Sequence, residues 1–209
     1  MFLQWRRRLL LGMGLSVALT LAVSPTTASA AAVSTLTGES LSGISSSGNT
    51  SACPTATYSV SGDATGPYAG TFSESGSWSI VGRTFTATFT ITSGTTTVSG
   101  SESLGGGSFN YLFCGETAGV DLRDSSYTAT IHTPSGNFHD EGTSPDVGIF
   151  IFGTTGAAFL GENFTSSLTQ PVLIAPTSKD QCKNDGWKAF PQFQNQGQCV
   201  SSVQSQRPS

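Results

Sequence analysis

Three carboxylate residues of this chain stand in alternating runs whose shared face is otherwise apolar. They are Glu74, Glu102 and Asp140. Because successive side chains of a strand point to opposite faces, each acid is expected to point towards the core with its apolar neighbours. Burying a carboxyl group is costly unless the group is protonated, paired, close to a strand end or facing a wet cavity. The pattern therefore indicates either a structural network or a site.

The chemistry of these acids allows two interpretations. In the structural one, which we favour, they lie near strand ends or in a network with arginine and tyrosine side chains. In the functional one, they converge in a pocket or barrel mouth and bind a ligand. Two carboxyl groups roughly 5 to 10 Å apart across a cleft would also suffice for glycoside hydrolysis. Glu74, Glu102 and Asp140 are therefore the catalytic candidates.

Few other side chains between residues 31 and 178 could hold a ligand. Trp78 is the only tryptophan there, and Arg83 and Arg123 are the only lysine or arginine residues. These three are the ligand-binding candidates, because a pocket combines apolar walls with a few convergent polar groups. A single tryptophan leaves few platforms on which sugar rings could stack.

Two histidines flank one predicted turn and form a weak metal candidate. If Ile131 pairs with Phe138, His132 and His139 lie diagonally on the solvent face, roughly 7 to 8 Å apart. Together with Glu141 they could contact a divalent cation, but a complete site needs further ligands and groups that orient them. We therefore expect exposed histidines, with no metal and no cofactor. The sequence also lacks a Gly-x-Ser-x-Gly nucleophile motif.

The elements that position these residues are strands. Residues 84–92 alternate between apolar and threonine side chains without a fault, which is typical of a half-buried strand. Similar runs cover residues 57–61, 70–80, 95–104, 108–114, 125–132, 137–143, 147–152 and 157–165, with a weaker run at 36–42. Turn residues separate them, including Ser144-Pro145-Asp146. The pattern predicts an all-β fold, an antiparallel up-and-down barrel or a two-sheet sandwich of about eight to ten strands, followed by a small disulfide-stapled C-terminal module.

The first 30 residues resemble a removable export signal. Arg6, Arg7 and Arg8 precede an apolar run of residues 9–23, and Ala28-Ser29-Ala30 fits the small-x-small pattern before a cleavage site. The apolar run is shorter than the roughly 20 residues that cross a bilayer. We expect a secreted protein, associated with the cell envelope, whose mature form has no integral membrane segment. General and twin-arginine export both remain open.

Charge limits the partners that the chain can take. The formal net charge is -4, and removal of the three signal-peptide arginines takes it to -7. Proteins that bind nucleic acids need a basic surface, so a nucleic-acid partner is excluded. The acids are concentrated before residue 178, whereas Lys179, Lys183, Lys188 and Arg207 make the tail slightly basic.

The chain has four cysteines, Cys53, Cys114, Cys182 and Cys199. In an oxidising compartment an even set is expected to pair, and three connectivities are possible. The position of the last two in the tail favours Cys53 with Cys114 and Cys182 with Cys199. Loops of these lengths are stabilised by about 4 and about 3 kcal/mol respectively.

The composition changes after the last alternating run. We expect an all-β domain over residues 31–168, a proline-bearing linker over 169–178 and a C-terminal module over 179–209. The module has too many aromatic residues for its size unless they pack around the disulfide or on a partner; they are Trp187, Phe190 and Phe193. Its lysines would then face an anionic surface.

Two segments resemble known bacterial sequences. The tail reads Cys-Lys-Asn-x-Gly-Trp, then two Phe, then Asn-Gln-Gly-x-Cys-Val, over about residues 177–203. It resembles a C-terminal module that closes many otherwise unrelated secreted proteins of bacteria, especially actinobacteria, although Asp185 stands where that pattern has glycine. The stretches at residues 66–76 and 85–91 are similar to those of uncharacterised secreted all-β proteins of the same bacteria.

The expected function is ligand or matrix binding. The chain reads as a secreted, non-enzymatic β protein whose partner is a polymer of the bacterial cell envelope or a small ligand. The alternative is an extracellular polysaccharide hydrolase that uses paired carboxylates. The two functions are distinguished by whether the acids meet across an open cleft, and that depends on the strand order.

Overall fold

A computed structural model describes residues 32–45, 47–49, 55–104, 108–114, 117–152 and 157–205. The described residues form eleven strands, two short 3-10 helices and one α-helix. The strands are β1 (Ser40–Ser45), β2 (Ser47–Asn49), β3 (Thr55–Thr65), β4 (Gly70–Ser79), β5 (Thr84–Ser93), β6 (Thr96–Ser103), β7 (Phe109–Cys114), β8 (Thr117–Thr133), β9 (Gly136–Phe152), β10 (Ala157–Ser166) and β11 (Val172–Leu173). The predicted signal peptide and Cys53 lie outside these residues.

Eight of the strands close into an antiparallel barrel, which confirms the all-β prediction and selects the barrel over the sandwich. Around the barrel the order is β1, β3, β4, β5, β6, β8, β9 and β10, and β10 pairs with β1 to complete the ring. β2 pairs with β3, β7 with the first half of β8, and β11 with β9. Closure removes the free edges at which open sheets pair with other chains.

The barrel encloses a filled core because the alternation holds on strand after strand. In β3, β4 and β5, buried and exposed positions follow one another almost strictly. The interior is dominated by aromatic and branched side chains, among them Tyr58, Phe72, Trp78, Phe85, Phe89, Ile91, Val98, Tyr127, Ile131, Ile149 and Phe164. An eight-stranded barrel is just wide enough for side chains to fill.

One turn prediction is wrong. Ser144, Pro145 and Asp146 do not turn the chain; they lie within β9, which joins two predicted strands into one. The register between β9 and β10 shifts here, since Asp146 pairs with Asn163 but Thr143 pairs with Thr165. A bulge leaves residues of the ladder unpaired, so the missing N–H of proline costs no strand hydrogen bond.

The segment before β1 closes one end of the barrel. Leu36 is fully buried, and the backbone N–H of Gly38 donates to the carbonyl of Phe164 at 3.0 Å. The φ of Gly38 is 81°, a left-handed conformation that favours glycine and turns the chain into β1. The weaker run predicted at residues 36–42 is therefore a strand only from Ser40 onward.

The C-terminal module is small and stapled. Two 3-10 helices, Lys179–Cys182 and Gly186–Ala189, precede helix α1, Gln196–Ser205, and the predicted disulfide joins Cys182 to Cys199. The predicted pair Cys53 and Cys114 involves a residue outside the described ones. Across the segment that is described, no helix is long and apolar enough to span a membrane.

The stretch predicted as a linker touches the barrel. Within it, β11 pairs with β9, and the N–H of Ile174 donates to the carbonyl of Asn137 at 2.7 Å. The Asn137 amide in turn donates to the carbonyl of Ala189 at 3.2 Å. Gln192 donates to the carbonyl of Ile174 at 2.9 Å. These bonds tether the module to the turn between β8 and β9.

Candidate functional site

Three glutamates meet in the barrel interior. Glu74 points inward from β4 and Glu102 from β6, while Glu162 reaches them from β10 on the opposite wall. Their side chains are 1%, 3% and 1% exposed. We call these three residues the glutamate cluster. The alternation that predicts inward carboxyl groups for Glu74 and Glu102 therefore agrees with their burial.

One hydrogen bond reaches the cluster. The Tyr58 hydroxyl donates to Oε1 of Glu74 at 2.5 Å. Among the described residues, the other five carboxyl oxygens of the cluster are buried without a hydrogen-bond partner. Burial of a polar atom without a partner is costly, and the cost is greater for a charged group. No ion pair between described residues involves any member of the cluster.

Burial favours the protonated form of these acids. It raises the pKa of Glu102 to about 8, a rise that the neighbouring Glu162 carboxyl group partly opposes and the charge of Glu74 assists. Burial also raises the pKa of Glu74 and of Glu162 well above the usual carboxyl range, and repulsion between the acids adds to this effect. A neutral acid sealed in a core can donate hydrogen bonds, but it cannot serve as a base towards a molecule outside.

Asp140 belongs to a different group at the closed end of the barrel. Its Oδ2 accepts from the backbone N–H of Leu36 at 2.8 Å and from the Tyr127 hydroxyl at 3.0 Å, and its Oδ1 accepts from the Ser166 hydroxyl at 2.5 Å. Asp140 is fully buried. Its contacts hold the segment before β1 against the barrel, and none of its hydrogen bonds joins it to Glu74 or Glu102.

Glu39 completes this end. It is fully buried and its Oε2 accepts from the backbone N–H of Tyr68 at 2.8 Å. The Tyr68 hydroxyl donates to the carbonyl of Ser34. Burial raises the pKa of Glu39, whereas the bond from Tyr68 lowers it, and burial raises the pKa of Tyr68 to about 12. At the closed end, hydrogen bonds therefore join the N-terminal segment to the turn from β3 to β4.

Sequence analysis does not single out Glu162 or Glu39. The alternating pattern nevertheless contains Glu162. Glu162 shares its strand face with Ala158, Leu160 and Phe164 in an alternating run, which is the same observation that identifies Glu74. Glu39 precedes its strand, so no alternation marks it.

The ligand-binding candidates are separated in space. Trp78 is buried in the core, 5.9 Å from Tyr58 between ring centres. Arg83 is exposed in the turn between β4 and β5, with a φ of 47°. Arg123 lies on the outer face, where it forms ion pairs with Asp121 and Asp146. Neither arginine pairs with a buried carboxyl group, so the three do not line a common pocket.

The histidines have the arrangement that the register implies. Ile131 pairs with Phe138, and His132 and His139 lie on the outer face. His132 contacts the Asn137 side chain at 3.2 Å, and His139 contacts Glu141 at 3.1 Å. Within the described ranges, no group of three or more His, Cys, Asp or Glu residues could hold a metal ion. The three acids of the glutamate cluster are therefore not a metal site of this kind.

The module shows partial burial of its aromatic residues. Trp187, Phe190 and Phe193 are all half-buried, and the rings of the two phenylalanines are 6.4 Å apart in an edge-to-face arrangement. Two of its lysines have acidic partners: Lys183 pairs with Asp180 at 2.7 Å and Lys188 with Asp185 at 3.0 Å. These pairs reduce the positive charge that the module offers to an anionic surface.

The outer face of three neighbouring strands carries only hydroxyl side chains. We call it the hydroxyl wall; its members are Thr71, Ser73, Ser75, Ser77 and Ser79 on β4, Thr84, Thr86, Thr88, Thr90 and Thr92 on β5, and Thr97, Ser99, Ser101 and Ser103 on β6. Some hydroxyls pair across strands, as Ser101 does with Thr128 at 3.2 Å. At that pair a shallow, open depression of about 460 Å³ lies over the outer face of β6 and β8.

Comparison with protein families, with curated proteins and with solved structures finds no match to this chain.

Proposed function

We propose that the protein is a secreted, non-enzymatic β-barrel that binds a matrix polymer at the bacterial cell envelope. The observation that carries the proposal is the hydroxyl wall, where no charged side chain occupies an outward position on β4, β5 or β6. Soluble domains usually place charges on roughly 25 to 35% of their surface. A charge-free hydroxyl surface can donate to and accept from a polar polymer without burying an unpaired charge.

Burial of the acids argues against the hydrolase alternative. A glycosidase needs two carboxyl groups on either side of a bond of its substrate, within an accessible cleft. Glu74 and Glu102 are at most 3% exposed, and Asp140 is fully buried in a separate group. A polysaccharide chain cannot reach any of them while the barrel is closed. The barrel is therefore better suited to present a surface than to perform hydrolysis.

The salt dependence of envelope binding distinguishes binding through the hydroxyl wall from binding through the basic C-terminal module. Binding through lysines weakens as salt screens the charges, whereas binding through neutral hydroxyls does not. Since Lys183 and Lys188 already pair with aspartates in the module, we assign the larger part of binding to the barrel. Envelope binding is therefore expected to persist in molar salt.

Co-sedimentation with purified insoluble envelope material tests the proposal. The protein should sediment with it equally at low and high salt, and Ser101→Glu combined with Thr88→Glu should reduce the bound fraction by burying charge. Thr65→Glu, an exposed position on β3 outside the wall, is the matched control. Failure to sediment with any envelope fraction, or release of soluble sugar from that material, would contradict the proposal.

A further inference from the structure

Two glycines lie side by side on the outer face of the barrel without an internal reason to be glycine. Gly148 on β9 pairs with Gly161 on β10, and neither has a positive φ. Among the described residues, a Cβ atom at Gly161 would meet nothing within 4 Å, and one at Gly148 would have Cε2 of Phe150 as its nearest neighbour at 3.7 Å. A side chain would fit at both positions. Glycine within a strand weakens it, so its presence here calls for another explanation.

Six other strand glycines of the barrel are explained by close packing. At each of these six a Cβ atom would lie within 2.6 Å of another part of the chain; they are Gly43, Gly62, Gly70, Gly76, Gly100 and Gly142. The Phe89 ring, for example, covers Gly100, and Tyr58 covers Gly76. The contrast sets Gly148 and Gly161 apart, and strand glycines of this kind often mark a place where a ligand approaches the backbone.

An apolar row borders the glycines on one side. Two residues further along the strands, Phe150, Phe159 and Ile44 are paired neighbours on β9, β10 and β1. Ile44 is 57% exposed and Phe159 is 39% exposed. The ring of Phe152 packs edge to face against that of Phe159, with centres 5.6 Å apart. This row presents aromatic surface next to the open backbone.

A polar row borders the glycines on the other side. Two residues away in the opposite direction, Arg123, Asp146 and Asn163 are paired neighbours on β8, β9 and β10. Arg123 forms ion pairs with Asp146 and with Asp121, so these two carboxylates neutralise its positive charge. Side chains on one face of a strand recur every 6.6 to 6.8 Å or so, which places the two rows about 13 Å apart with glycine as the floor.

We propose that this glycine trough, formed by Gly148, Gly161 and the two rows beside them, binds a chain of neutral sugar residues. The trough lies on β9 and β10 and the hydroxyl wall on β4, β5 and β6, so the inference goes beyond the proposed function and adds a second binding surface. Phe159 would contact the apolar C–H face of a sugar ring, while Asp146 and Asn163 exchange hydrogen bonds with its hydroxyl groups. The open glycine backbone lets the ring approach the sheet.

Charge favours a neutral glycan over an anionic one. Around the trough one arginine faces the two carboxylates Asp121 and Asp146, so the local charge is slightly negative and a polyanion would be repelled. A wholly apolar partner would leave the polar row without hydrogen bonds, which costs free energy. A sugar matches both rows, because it has apolar and hydroxyl-bearing faces.

Filling the floor of the trough tests the inference. Gly161→Val places a β-branched side chain in open space, so the variant should fold at least as stably as the parent. We expect the full chain to bind at least one of dextran, mannan and galactan in affinity electrophoresis, and Gly161→Val to weaken that binding by about tenfold or more, equivalent to about 1.4 kcal/mol. Thr95→Val, which introduces the same side chain in the exposed turn between β5 and β6, away from β9 and β10, should bind like the parent.

The outcomes separate this inference from the proposed function. If Gly161→Val binds these glycans as the parent does, the trough is not their site, and the proposed envelope binding through the hydroxyl wall stands. If the parent binds none of them yet sediments with envelope material, the ligand class is wrong and the proposed function stands. If the parent self-associates and Gly161→Val abolishes this in gel filtration, the trough is a contact between copies and the inference fails. If the parent sediments with no envelope material, the proposed function itself fails.

Discussion

Protons held by single glutamate residues make the stability of the barrel depend on pH. The pKa of Glu102 is about 8 in the folded chain, against an ordinary value of 4.5. Between these values the folded chain keeps a proton that the unfolded chain releases, so the free energy of unfolding falls as pH rises. The stabilisation is complete below about pH 4.5 and is lost as pH passes about 8.

We expect urea unfolding between about pH 5 and about pH 8 to show this loss directly. The free energy of unfolding should fall by roughly 1 kcal/mol per pH unit for each proton retained. Glu102→Gln removes one titrating group and should flatten the slope, whereas Glu141→Gln, on the outer face, should leave it unchanged. A slope in the Glu102→Gln variant equal to that of the parent would assign the retained protons to other residues.

Asp140 is expected to matter for stability and not for chemistry. Asp140→Asn replaces one of two carboxyl oxygens by an amide donor, so at least one of its three bonded donors loses its acceptor. An unsatisfied buried donor costs about 1 to 3 kcal/mol, and we expect a loss of that size in urea unfolding. Asp63→Asn, on the outer face of β3, should change little. A stability equal to the parent's would show that the closed end does not depend on Asp140.

The sequence predicts the direction of single side chains but not which of them meet. Alternation alone indicates that Glu74, Glu102 and Asp140 point inward, because it depends only on neighbours along one strand. Whether they meet depends on the strand order and on the level of each residue along the barrel, which are set by long-range pairing. Glu102 meets Glu162 from the far wall, and Asp140 lies with the N-terminal segment instead.

At the scale of elements, two glycines offer a matched test of packing. Gly100→Ala would place a Cβ atom 2.2 Å from the Phe89 ring, so the ring must move, at a cost of about 1 to 3 kcal/mol. The added Cβ atom of Gly161→Ala meets no described atom within 4 Å, so this change should be neutral or stabilising, since alanine restricts the unfolded chain. Thermal unfolding of both variants measures the difference. Equal changes in melting temperature for the two variants would mean that the Phe89 ring does not pack closely against Gly100.

Most strands could be predicted because period-two patterning is local, but their ends could not. β9 runs through Ser144, Pro145 and Asp146, three residues that usually form turns. A bulge against β10 accommodates the proline there. Such a bulge depends on the neighbouring strand, so the sequence of β9 alone cannot reveal it. The same holds for β11, whose two residues are a strand only because β9 lies beside them.

At the scale of the whole molecule, the tail is expected to be dispensable for the barrel. A chain ending at Ser178 keeps β11 and loses the bonds that Asn137 makes with Ala189 and Ile174 with Gln192. Each is worth about 0.5 to 1.5 kcal/mol, so the two together predict a melting temperature lower by about 2 to 12 °C.

Circular dichroism at rising temperature measures this change. The shortened chain should keep a β-type spectrum and a cooperative transition. Replacement of Cys182 and Cys199 together by serine in the full chain is the companion experiment, because it removes this disulfide alone, and it should loosen the module while the barrel transition stays in place. Collapse of the shortened chain would mean that the module and barrel share one cooperative unit.

The pairing of β1 with β10 governs when the protein can finish folding. Ser40 and Asn163 face each other across this pair, although almost the whole barrel sequence lies between them. Hairpins such as β4 with β5 join neighbouring segments and form quickly, whereas contacts between distant segments wait for slow loop closure. A chain emerging from the ribosome cannot close the ring before β10 has been synthesised. The time needed to reach the native state is therefore set by the arrival of the last barrel strand and not by the early hairpins.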